Sequence, residues 1–168
     1  RINNMNDLSV FAHELGHKLE KETFDLTGKL NVLKDPIVKA FEKNDQAALE
    51  QFRIDHGNEA VDGILQRKKM ADEIIALAKE SGHLDKGYKK AEYVEEALAE
   101  YIRMYVWGET KGEIKSDGSQ DILIPNVRAR APEFTKYFEG LMESSKRFRT
   151  VINNLKSDVD TWKKLPLA

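Results

Sequence analysis

The chain has 168 residues and a formal net charge of −2, which predicts one domain (residues 1–168) large enough to fold without disulfides. No basic field indicates a nucleic-acid partner. No apolar stretch approaches the roughly 20 residues of a membrane span, so we expect no membrane partner. The absence of cysteine excludes thiolate ligands, so a bound metal must be held by His, Asp or Glu.

The hydrophobic pattern is helical nearly throughout and predicts a mainly α fold of about six helices. The predicted helices run from Asn6 or Asp7 to Thr27-Gly28, from Asp35-Pro36 to Arg53, from Asn58 to Lys79, from Lys86 to Trp107, from Pro132 to Ser144, and from Lys146 to Lys164. Residues 109–125 predict a loop with a small β-hairpin near 112–124.

The first predicted helix contains the stretch VFAHELGHKLEKE. His13 and His17 are four residues apart and lie within about 40° of each other on one helix face, so both imidazoles can reach a common point. Two neutral imidazoles can bind Zn²⁺, and the flanking Glu14 can take a proton from a metal-bound water. Gly16 has no side chain, so another backbone or a substrate can approach the helix closely on that side. The alternative is a solvated polar face opposite the apolar stripe.

The fourth predicted helix contains the stretch YVEEALAEYIRMY, which can supply the third ligand that a zinc site requires. Glu92, Glu96 and Glu100 follow one stripe of this helix, opposite its apolar face. An amphipathic helix with a solvated glutamate face and a Glu100–Arg103 pair is the alternative interpretation.

The combination of HELGH with EALAE resembles the gluzincin metallopeptidases, a class of zincin. The resemblance implies one Zn²⁺ per chain, with Glu96 as its third protein ligand and with Glu100 accepting a hydrogen bond from a ligand histidine. It also implies that Glu14 is the catalytic residue, which activates the metal-bound water for attack on a peptide bond. Glu95 remains an alternative to Glu96, and a site of this kind also suits Fe(II), Mn²⁺ or Ni²⁺.

The resemblance further implies a residue that stabilises the oxyanion. The candidates are Tyr88, Tyr101, Tyr105, His56 and His83. Zincins usually carry a β-sheet before the HExxH helix. We expect either that an upstream or neighbouring domain of the same protein supplies it, or that residues 122–124 substitute for it.

The chain begins at Arg1 rather than Met, so we expect a piece of a longer protein. EALAEYIRMY and ARAPEFTKYFEGLM are similar to metallopeptidase-like modules in large proteins of phages and mobile elements. The predicted function is a zinc metallopeptidase acting on a polypeptide, soluble and either cytoplasmic or associated with a phage particle. The alternatives are a non-catalytic helical interaction module of a larger phage-type assembly, with a structural or unused metal site, and a metal-dependent toxin or effector peptidase.

Overall fold

The computed structural model describes residues 13–17, 25–82, 84, 87–89, 92–108 and 126–164. These residues form nine helices and no strand, which confirms the predicted mainly α fold. In chain order the helices are α1 (13–17), α2 (Leu26–Leu30), α3 (Pro36–Glu42), α4 (Gln46–His56), α5 (Asn58–Glu80), α6 (Tyr93–Trp107), α7 (Val127–Arg130), α8 (Pro132–Ser144) and α9 (Lys146–Lys164). Within these ranges, no helix has both the length and the apolar character of a membrane span. The hairpin predicted near 112–124 lies outside the described residues.

Three long helices follow the prediction closely. α5 ends one residue beyond its predicted end, and α8 and α9 have the predicted bounds. Pro132 is the first residue of α8, and Ala131 before it has no side-chain oxygen to act as a cap. Glu73 on α5 supplies this cap instead, because its carboxylate accepts hydrogen bonds from the backbone amides of Phe134 at 2.9 Å and Glu133 at 3.3 Å.

The second predicted helix is divided into α3 and α4. Asp35 caps α3 as predicted, because its Oδ1 accepts a hydrogen bond from the Ile37 amide at 2.8 Å. The helix then stops because Asn44 adopts a left-handed conformation with φ 55°, which a right-handed helix cannot contain. Asp45 caps α4 by accepting a hydrogen bond from the Ala48 amide at 3.0 Å.

The two short helices α2 and α7 are absent from the predicted helices. Asp25 begins α2 by accepting a hydrogen bond from the Gly28 amide at 3.2 Å. Thr27 and Gly28 therefore lie inside α2. The prediction that they end the first helix is wrong. Asn126 caps α7 in the same way, by accepting a hydrogen bond from the Arg128 amide at 3.0 Å. Both helices begin at a short polar side chain that suits the N-cap position.

α6 is the central helix of the fold. It begins at Tyr93 rather than at the predicted Lys86, since Gly87 has φ 82° and interrupts the helical conformation. It ends at Trp107, directly before Gly108, as predicted. Eleven of its fifteen residues are buried, so α6 has no broad solvated face. The solvated glutamate face of the alternative interpretation is therefore wrong for Glu100, which is buried, whereas the Glu100–Arg103 pair in that interpretation is present.

Other helices cover α6 on several sides. It packs against α2, α5, α7 and α9, and Tyr101 on α6 lies edge-on against Phe134 of α8 with ring centroids 4.6 Å apart. The Tyr101 hydroxyl donates a hydrogen bond to Thr135 Oγ1 at 2.8 Å inside this core. Because the apolar side of α6 is held by packing, the carboxylates on the other side of α6 have defined positions.

Candidate metal centre

The backbones of α1 and α6 are in direct contact at Gly16. A Cβ atom at this position would lie 2.9 Å from the carbonyl oxygen of Ala99 and 3.1 Å from its Cα atom. Such distances leave no room for any side chain, which is why this helix face needs a glycine. The approach predicted for Gly16 is therefore made by the backbone of α6.

This contact brings two similar helix faces together. His13 and His17 lie three residues before and one residue after Gly16, and Glu96 and Glu100 have the same spacing around Ala99. Residues three and four apart share a helix face. Both histidines therefore face both carboxylates across the contact between the two helices.

Three side-chain atoms converge at this interface. His13 Nε2 lies 3.2 Å from His17 Nε2, His17 Nε2 lies 3.2 Å from Glu96 Oε2, and His13 Nε2 lies 3.4 Å from the same oxygen. A tetrahedral ion with bonds of about 2.0–2.1 Å separates its ligand atoms by about 3.3 Å. The observed triangle therefore has the dimensions of one face of a tetrahedral zinc site.

Glu100 and Arg103 lie behind His13. The carboxylate of Glu100 accepts hydrogen bonds from Arg103 Nε at 3.0 Å and from Arg103 Nη2. His13 Nδ1 lies 3.1 Å from Glu100 Oε2. Because Glu100 acts as an acceptor for arginine, His13 Nδ1 carries the proton and donates it to this hydrogen bond. In the neutral imidazole, Nε2 then directs its lone pair towards Glu96.

That lone pair and the Glu96 carboxylate are two acceptors facing each other. Without a proton or a cation between them, His13 Nε2 and Glu96 Oε2 would repel each other at 3.4 Å. A metal ion held by both atoms and by His17 removes this repulsion. The residues present therefore fit a divalent metal with two imidazole ligands and one carboxylate ligand. Among the residues that the structure describes, this is the one such group.

Glu95 and Glu96 occupy different positions relative to His17. Glu96 Oε2 faces the ring nitrogen Nε2, whereas Glu95 Oε1 lies 3.7 Å from Nδ1 on the other side of the ring. His17 Nδ1 is buried and makes no hydrogen bond to any described residue. A histidine that binds a metal through Nε2 carries its proton on Nδ1 and needs an acceptor there. Glu95 is therefore suited to support His17, and Glu96 to bind the metal.

Tyr88, which precedes α6, contacts the same site. Its hydroxyl donates a hydrogen bond to the Glu96 carboxylate. Partial burial raises the pKa of the Tyr88 hydroxyl, and the negative charges of Glu96 and Glu14 raise it further. Glu14 follows His13 directly and is exposed to solvent. The region around the ligand atoms thus contains an exposed carboxylate and a phenol.

The other oxyanion candidates lie elsewhere. Tyr101 is buried in the core and its pKa is raised by burial. The Tyr105 hydroxyl lies 3.5 Å from Met142 Sδ. His56 is exposed and stacks on the ring of Phe52 at a centroid distance of 6.3 Å. His83 lies outside the described residues. Among the described candidates, Tyr88 alone contacts the ligand group.

Arg103 is a residue of this site to which the sequence alone assigns no role. It lies seven positions after Glu96 and three after Glu100, which places all three on one stripe of α6. This spacing is the one sequence signal for the arrangement. It does not distinguish a buried arginine that binds Glu100 from a solvated pair.

No protein-family model, curated protein or solved structure matches the chain. The resemblance to gluzincins therefore depends on HELGH and EALAE, and membership of that family stays a prediction. Support for a function comes instead from the residues of the metal centre and the distances between them.

The contact at Gly16 can be tested by Gly16→Ala. The added methyl group meets backbone atoms, so α1 must move away from α6, at a cost of about 1–3 kcal/mol in the free energy of unfolding. We expect a lower melting temperature and weaker zinc binding, measured by calorimetry and by competition with a chromophoric chelator.

Gly140→Ala is the matched control for this substitution. Gly140 lies inside α8, and a Cβ atom there meets nothing within 4 Å. Alanine should raise stability by up to about 1 kcal/mol through its higher helix propensity, without changing zinc affinity. Equal effects of the two substitutions would contradict the close contact between α1 and α6.

Proposed function

We propose that the chain binds one zinc ion through His13, His17 and Glu96 and hydrolyses peptide bonds at that site. The observation that carries the proposal is the triangle of two imidazole nitrogens and one carboxylate oxygen with sides of 3.2–3.4 Å. Three protein ligands from two packed helices leave a coordination position free, as catalytic zinc sites do. Zinc is preferred because imidazole and carboxylate ligands in this number suit it.

The residues around the ligands support hydrolysis. Zinc at this position would supply a Lewis acid that activates water and balances negative charge on a substrate oxygen. Glu14 is next to a ligand histidine and is exposed, so its carboxylate can take a proton from the attacking water and pass it to the leaving amine. The Tyr88 hydroxyl, beside Glu96, can donate a hydrogen bond to the carbonyl oxygen as it gains negative charge.

A non-catalytic helical module with a structural metal site is the second candidate. The observation that favours it is the absence of a strand among the described residues. In zincins an edge strand aligns the substrate peptide, so a chain without one needs another surface to hold the peptide extended. Metal binding is common to both candidates, whereas peptide hydrolysis separates them.

Zinc content separates the two adjacent glutamates. Elemental analysis of the folded protein supplied with zinc should give about one zinc per chain. Glu96→Ala removes a ligand and should abolish stoichiometric binding. Glu95→Ala should still hold about one zinc per chain, bound more weakly, since Glu95 faces the other nitrogen of His17 and is not a ligand. Loss of zinc in Glu95→Ala with retention in Glu96→Ala would reverse the assignment.

Glu14→Gln tests the catalytic role. The amide cannot accept the proton of the attacking water, so turnover of a peptide library should fall at least about a hundredfold. Zinc content should stay at the unmodified level, because Glu14 is not a ligand. Glu143→Gln, an exposed substitution on α8, serves as the control with normal turnover.

Full turnover by Glu14→Gln would remove Glu14 from the role of general base. If the unmodified protein binds zinc and cleaves nothing in the library, the non-catalytic candidate is favoured instead.

A further inference from the structure

We propose that Arg103 is a positioning residue of the metal centre, which acts on the ligand His13 through Glu100. The inference rests on the proposed zinc site. Arg103 is not one of the three residues of the candidate ligand group, and the motif resemblance gives it no role. Its contacts with Glu100 suggest one.

The arginine holds Glu100 in one orientation. Two of its nitrogens, Nε and Nη2, bind the two different carboxylate oxygens of Glu100. A bidentate pair of this kind fixes the plane of the carboxylate as well as its position. Glu100 Oε2 also accepts the hydrogen bond from His13 Nδ1 at 3.1 Å. The orientation imposed by Arg103 is thus the one that His13 uses.

The ion pair between Arg103 and Glu100 is buried, unlike the ion pairs on the surface of the protein. Glu100 is 3% exposed and Arg103 is 7% exposed. Arg128 and Glu139 form a similar bidentate pair at 3.1 and 3.2 Å, but this pair is exposed. Burying an ion pair seldom gains stability over apolar residues of the same volume, because both charges must be desolvated. Stability alone is therefore a poor reason for a buried Arg103–Glu100 pair.

Orientation of the ligand gives a better reason. A metal-binding histidine must carry its proton on the nitrogen that faces away from the metal, and its ring must stay in the plane that points the other nitrogen at the ion. Glu100 meets both requirements only if its carboxylate cannot turn away from His13. Arg103 prevents this rotation by binding both oxygens, and thereby keeps His13 Nε2 directed at Glu96 and His17.

The experiment measures zinc affinity in variants of the 168-residue chain by competition with a chromophoric chelator. Arg103→Met keeps a long apolar side chain and removes both hydrogen bonds, so zinc affinity should fall about tenfold or more, as for other partners of ligand histidines. Glu100→Gln should have a similar effect. Arg128→Met is the matched control, because it breaks a bidentate pair away from the site, and it should leave zinc affinity unchanged.

The double variant Glu100→Gln/Arg103→Met separates positioning from general stabilisation. If Arg103 acts through Glu100, adding Arg103→Met to Glu100→Gln should cause no further loss of zinc affinity. A purely structural arginine would lower the melting temperature of the metal-free protein without this dependence. Unchanged zinc affinity in Arg103→Met, or an equal loss in both backgrounds, would overturn the proposal.

Two further measurements keep the test decisive. If Arg103→Met does not fold because the buried Glu100 carboxylate has lost the opposite charge of the arginine, Arg103→Lys replaces it: the charge remains but the bidentate geometry is lost. Weaker zinc binding by folded Arg103→Lys supports the proposal, and unmodified affinity overturns it. Absence of zinc binding by the unmodified protein would instead refute the metal site itself, so the two failures are distinguishable.

Discussion

The structure of the candidate site depends on one backbone contact, between Gly16 of α1 and Ala99 of α6. α6 is already held by the helices around it, and the contact brings α1, with its two histidines, onto the remaining face of α6. A side chain at Gly16 would meet the backbone of Ala99 and push the two helices apart, which would move the histidines away from the carboxylates. The ligand triangle and its supporting residues therefore follow from a position where only glycine fits.

Around this contact, the polar and charged side chains become less exposed to solvent from the outside of the site to its inside. Glu14 is exposed, the ligands His17 and Glu96 are partly buried, and Glu100 and Arg103 are buried. The exposed side chain can exchange protons with water, whereas the buried side chains can only orient their neighbours. A carboxylate and an arginine inside the fold neutralise each other, so the ligand group itself carries the unbalanced negative charge that attracts a cation.

Sequence reasoning succeeded where the signal is local. The bounds of α8 and α9 follow from nearby proline and polar residues, and the spacing of His13 and His17 predicts that they share a helix face. Glu96 is a predicted ligand only through the resemblance to gluzincins, which leaves Glu95 as an alternative. The break at Asn44 was not predicted, although asparagine adopts the left-handed conformation more readily than most residues and Asp45 is a favourable N-cap. Nor could sequence reasoning predict that Glu100 is buried, since a polar stripe looks the same whether it faces water or another helix.

Anomalous diffraction from zinc-loaded crystals would show whether His13, His17 and Glu96 bind one metal ion. We expect one strong peak at the zinc edge, about 2.0–2.2 Å from His13 Nε2, His17 Nε2 and Glu96 Oε2. A peak only at other carboxylates, or no peak between these three atoms after loading, would contradict this metal site.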